Sequence, residues 1–130
     1  VDSVPKLIDF LKATFRAEEL GERTVTPDGR VMHAAVRIGD SMVMMGEASE
    51  QYSAMRANLY VYVDDTDAAY ARAMAAGARS LREPADQFYG DRNAGVEDSQ
   101  GNFWWIGTHV EDVDPEEMKR REEAAFQKHG

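Results

Sequence analysis

Cysteine is absent from the 130 residues. Its absence excludes disulfides, thiolate catalysis and cysteine-ligated zinc. Basic residues are in deficit, with 15 Lys and Arg against 24 Asp and Glu, for a formal charge of −9. So acidic a balance argues against a nucleic-acid binder, which needs a basic face to displace counterions from phosphates. Anionic membrane surfaces are disfavoured on the same ground. No apolar run approaches the roughly 20 residues of a membrane span, and no signal peptide is visible. A cytoplasmic location is therefore expected by elimination. There is no Walker loop, dinucleotide fingerprint or nucleophile elbow.

What is present reads as one globular domain over residues 1–130, with 43% hydrophobic and 30% charged residues. Leu7, Ile8, Leu11 and Phe15 recur at helical spacing, with Ser3 as a candidate N-cap and Pro5 tolerated in the first turn. Two extended runs follow, about 19–26 and 30–38. Thr26-Pro27-Asp28-Gly29 joins them as a tight turn. Gly39-Asp40 turns the chain into a strand at 41–45, and the polar, aperiodic stretch 47–56 reads as a loop. A strand at 58–63 and a helix at 67–76 come next, capped by Thr66 or Asp67 and stopped at Gly77. Short strands are expected at 79–81, 94–97 and 102–108, with a polar loop over 84–92. Asp114-Pro115-Glu116-Glu117 opens a charged final helix.

The second half repeats the first. Val1-Asp2-Ser3 onward parallels Val63-Asp64-Asp65 onward, and Ala35-Val36 with Asp40-Ser41 parallels Gly95-Val96 with Asp98-Ser99. Two copies at a period near 60 residues indicate a duplicated module rather than a solenoid, which needs three or more. The modules are placed at about 1–47 and 58–110, with a link at about 48–57 and a C-terminal helix at about 114–128. By this symmetry the counterpart of the 58–63 strand would precede Val1, so the first module is expected to lack its first strand here.

Several segments then resemble a known family. They are the helix from Asp2 to Phe15, Pro27-Asp28-Gly29-Arg30, Ile38-Gly39-Asp40-Ser41, Val61-Tyr62-Val63-Asp64, Gln87-Phe88-Tyr89-Gly90-Asp91-Arg92 and Asp98-Ser99-Gln100-Gly101-Asn102-Phe103-Trp104. In this order they are similar to the vicinal oxygen chelate superfamily of glyoxalases, bleomycin-resistance proteins and dioxygenases, in its PhnB-like branch. The resemblance implies an α+β fold in which two βαβββ modules form a curved mixed sheet, a cup for a small organic ligand. It also implies a homodimer.

Catalytic members of that superfamily hold a divalent metal on His and Glu side chains of four cup strands. Carried over, those positions fall before Val1 and at Met44, Asn58 and Trp105. Asn is a poor ligand, Met is soft and Trp is none, so the metal positions are not matched and no cofactor is predicted. His33 remains as a cup-facing base or a strand-end histidine, whereas His109 has no partner at ligand spacing and reads as structural or solvated. Glu47, at a loop mouth, reads as solvated. Alternation places Asn58, Tyr60, Tyr62, Phe103 and Trp105 with Met44 on the cup wall, which suits a flat or cationic molecule. The alternative for these aromatics is that they fill the cup. Tyr89 and Arg92, in the 84–92 loop, are further ligand candidates, Arg92 as a clamp for an acid group or as a turn-fixing ion pair. The expected function is a metal-free small-molecule-binding protein. The alternative is a metal-dependent lyase or dioxygenase of the same superfamily.

Overall fold

A computed structural model describes residues 1–129. The element order is α1 (Val4–Phe15), β1 (Glu18–Glu19), β2 (Thr24–Val25), β3 (Val31–Ile38), β4 (Ser41–Met45), β5 (Asn58–Tyr62), α2 (Thr66–Ala75), β6 (Arg79–Asp86), β7 (Asp91–Glu97), β8 (Phe103–His109) and α3 (Pro115–His129).

The first helix starts where its chemistry requires. The Ser3 hydroxyl accepts from the Lys6 amide, and Arg16 ends the helix in a left-handed conformation, φ 55°, with its N–H on the Leu11 carbonyl. In the second helix the cap is Asp65, one residue before the expected pair, with its carboxylate accepting from the Ala68 amide. Thr66 is not available as a cap, because its hydroxyl donates to the Arg92 carbonyl and also meets Thr108 Oγ1 at 2.7 Å.

Two four-stranded sheets result. In one, β3 pairs antiparallel with β1 and β2 on one side and with β4 on the other. The expected 19–26 strand is thus broken in two around Gly21, which has φ 66°. In the other, the order is β5-β8-β7-β6, with β5 parallel to β8 and the remaining pairs antiparallel. The sheets match element for element from β1/β2, β3 and β4 to β6, β7 and β8. Among the described residues no strand lies beside β4 in the place that β5 takes beside β8.

The 84–92 loop is corrected by the structure. β6 runs through Pro84 to Asp86 and β7 begins at Asp91, leaving only 87–90 as the turn. Proline is tolerated there because β6 is an edge strand and its ladder is irregular between Arg82 and Ala85, so no hydrogen bond is forfeited.

The helices α1 and α2 pack against each other over the core. Val4, Ile8 and Leu11 are fully buried with Val36, Val96, Trp104 and Ile106. The rings of Phe10 and Phe15 lie 6.4 and 5.5 Å from that of Trp104. Burying each such side chain contributes about 1.5–3 kcal/mol. The Glu47 carboxylate is no solvated group, since it accepts from the backbone amides of Val4 and Val31 and so ties α1 to β3. Those two bonds, Val31 first, hold its pKa below the usual carboxylate value.

Candidate functional site

The helix-free face of β5–β8 gathers the chemistry. Alternation along the strands sends Trp104 and Ile106 into the core and leaves Phe103, Trp105, Gly107 and His109 on the opposite side. The ladder sets Tyr60 opposite Trp105, Tyr62 opposite Gly107, Gly95 opposite Trp105 and Asp91 opposite His109.

Two glycines let the aromatic rings lie down on the sheet. A Cβ on Gly95 would stand 2.3 Å from the Trp105 ring, and one on Gly107 would stand 2.3 Å from the Tyr60 hydroxyl. With these floors the indole reaches Asn58, whose Oδ1 accepts from Nε1 at 2.7 Å. The Arg82 guanidinium covers the indole, 5.1 Å from the ring centroid. Tyr60 and Tyr62 stand 5.1 Å apart, 41% and 64% exposed.

Beneath the rings lies a polar centre built on Asp91 and Asn93, which are 4% and 0% exposed. Asp91 Oδ2 accepts from the hydroxyls of Tyr60 at 2.7 Å and Tyr62 at 3.0 Å. Asn93 Nδ2 donates to the hydroxyls of Tyr60 and Tyr89, and its Oδ1 accepts from Arg82 Nη2. Burial first, then the neighbouring Asp91, pushes the Tyr60 hydroxyl far above its ordinary pKa. The Asp91 bond, ahead of burial, raises that of Tyr62. Both therefore remain protonated donors. At the edge, His109 Nδ1 lies 3.4 Å from Asp91 Oδ1 and Nε2 lies 2.7 Å from Asp112 Oδ1. These two carboxylates, Asp112 first, raise its pKa above the ordinary value.

Of the sequence candidates, Asn58, Tyr60, Tyr89, Phe103 and Trp105 share this face. His33 and Met44 belong to the other sheet, where both are exposed. Met44 is opposite Ala35 and borders a groove of ≈ 420 Å³ between β4 and β5. Arg92 points the other way, toward α2, where it bonds both carboxylate oxygens of Asp67 and one of Asp86. The reason is parity: Arg92 lies between Asp91 and Asn93, so it takes the helix side. Asp91, Asn93, Arg82 and His109 form a centre that sequence spacing alone does not mark. Period-two alternation along β7 carried the signal, but the 84–92 stretch reads as a loop on composition, which hides it.

The residues at the implied metal positions do not fit a cation. Asn58 and Trp105 are hydrogen-bonded to each other, and an indole N–H has no lone pair to give. No group of three or more His, Asp or Glu side chains able to hold a metal occurs among the described residues.

Comparison with known proteins places this geometry among relatives. A family model described as the Glyoxalase/Bleomycin resistance protein/Dioxygenase superfamily matches residues 1–106. An uncharacterised protein of Mycobacterium tuberculosis strain H37Rv is 34% identical over 130 residues, covering 92% of this chain and 76% of that protein. A counterpart in Mycobacterium bovis is equally identical, with 92% and 85% covered. Among solved structures, TioX from Micromonospora sp. ML1 superposes with a TM-score of 0.68 at 27% identity, over 82% of this chain and 89% of that one. The fosfomycin resistance protein FosX from Mesorhizobium loti reaches 0.60 at 17% identity, over 83% and 84%, a likeness of fold.

Proposed function

The chain belongs to the glyoxalase/bleomycin resistance protein/dioxygenase superfamily, and within it we propose that it binds a small, flat organic molecule on the helix-free face of β5–β8 without metal chemistry. The observation that carries this reading is the placement of Tyr60 and Tyr62, exposed and side by side, on a rigid floor of buried Asp91 and Asn93. Ring faces held by hydrogen bonds at their hydroxyl ends lose little freedom when a planar ligand stacks on them. Sequestration is favoured over lyase or dioxygenase chemistry because two of the implied ligand positions satisfy each other. An open metal site needs ligands with free lone pairs and vacant positions.

The test combines metal analysis with calorimetric titration of planar aromatic compounds into the purified chain. Saturable binding in metal-free protein, weakened by Tyr62→Ala, is expected. Stoichiometric Ni, Zn, Fe or Mn that binding requires would overturn the reading. Self-association belongs to the same proposal, supported by Met42 and Met44 on the first sheet, 60% and 63% exposed. Light scattering is expected to give twice the 14.5 kDa of one chain, and the monomer mass would refute it.

A further inference from the structure

The charge of the ligand follows from the one amide that organises the second sheet. Asn93, wholly buried, holds two different partners at its two ends. Arg82 Nη2 donates to its Oδ1 at 2.7 Å, and its Nδ2 donates to the Tyr89 hydroxyl at 2.6 Å. The guanidinium and the phenol are thus tied to the two ends of a single side-chain amide. Each has donor capacity left. Arg82 uses only one of its N–H groups in a hydrogen bond and has no carboxylate partner among the described residues. The Tyr89 hydroxyl accepts from Asn93, and its own proton meets no acceptor among the described residues. Asp91, the buried carboxylate of this face, is engaged by two tyrosines. The Trp105 ring beneath Arg82 gives the guanidinium a cation–π seat on this face.

We propose that Arg82 and Tyr89 form a clamp for an oxyanion, so that the molecule bound on this face is a planar organic acid. Its ring lies against Tyr60 and Tyr62, and its carboxylate takes the free N–H groups of Arg82 and the O–H of Tyr89. A planar guanidinium matches a carboxylate with two parallel hydrogen bonds, which a neutral or cationic analogue cannot accept. This deepens the reading of the face as a ligand site and depends on it.

The experiment uses three probes of one shape on the full chain: 2-naphthoate, 2-naphthalenemethanol and 2-naphthylmethylammonium, titrated calorimetrically at two salt concentrations. Naphthoate is expected to bind at least tenfold more tightly than the alcohol, and the ammonium most weakly, with the preference shrinking at high salt. Arg82→Gln should abolish the tenfold preference of naphthoate over the alcohol, with an unchanged circular dichroism spectrum and cooperative thermal transition reporting that the variant is folded. Tyr89→Phe should remove a smaller part. Equal binding of the three probes by the unsubstituted chain overturns the clamp and leaves the ligand site standing. So does an Arg82→Gln variant that weakens all three alike, since Arg82 would then act by packing on Trp105. Failure of every probe to bind defeats the ligand site, and the clamp with it.

Discussion

At the scale of single residues, Asp91 is the centre on which the second sheet's open face is arranged. It is buried, and two tyrosine hydroxyls and one imidazole share its two oxygens. Tyr60→Phe removes one of these donors. Bonds to a charged acceptor are worth about 1.5–3 kcal/mol, and the loss is expected near the lower end because Tyr62 remains. Urea denaturation measures it. His109 offers a second test. With carboxylates at both ring nitrogens its imidazolium form is favoured, so its midpoint by NMR titration is expected above the ordinary value of about 6.5. A raised folded-state pKa adds stability that is complete below the unfolded value and is lost as pH rises through the folded one. Asp112→Asn should lower the midpoint and flatten that part of the stability profile. An unchanged midpoint would show that Asp112 does not hold the ring.

At the scale of elements, the turn between β7 and β8 explains why one resembling segment has the residues it has. Asp98 accepts from the Gln100 and Asn102 amides, from Asn102 Nδ2 and from Trp104 Nε1. Asn102 in turn accepts from the Ala57 amide, and Gln100 from the Ser3 amide. The segment is therefore a clasp joining the strand before α2, the start of α1 and the core tryptophan. Asp98→Ala orphans buried donors at about 1–3 kcal/mol each, so a loss of about 3 kcal/mol or more is expected in chemical denaturation. Asp112→Asn, on a fully exposed side chain, serves as the contrast. Gly107→Ala tests the other side of the same strand. Its methyl group would collide with the Tyr60 hydroxyl, so the ring must leave Asp91. A loss of about 1–3 kcal/mol follows from such overpacking, together with weaker stacking of planar ligands. A variant as stable as the parent would mean that Tyr60 is free to move.

At the scale of the molecule, one plan used twice accounts for the two sheets and for the helices α1 and α2 packed together over the core. No helix among the described residues is long and apolar enough to cross a membrane. Chelator treatment is expected to leave the thermal midpoint unchanged, because the residues at the implied metal positions bond to each other; a fall of several degrees in differential scanning calorimetry would contradict this. The sequence by itself determined the helices, the turns at Gly29 and Gly39, and the parity of the aromatic strands, since capping, φ > 0 and side-chain alternation are local properties. Only the tertiary structure decided which polar groups meet. Asp91, Asn93, Arg82, Tyr89 and His109 come from three strands and a turn, and their bonds cross the sheet. Hydrogen bonds between side chains depend on register and on ångström distances, and neither is written in the spacing of residues along a chain.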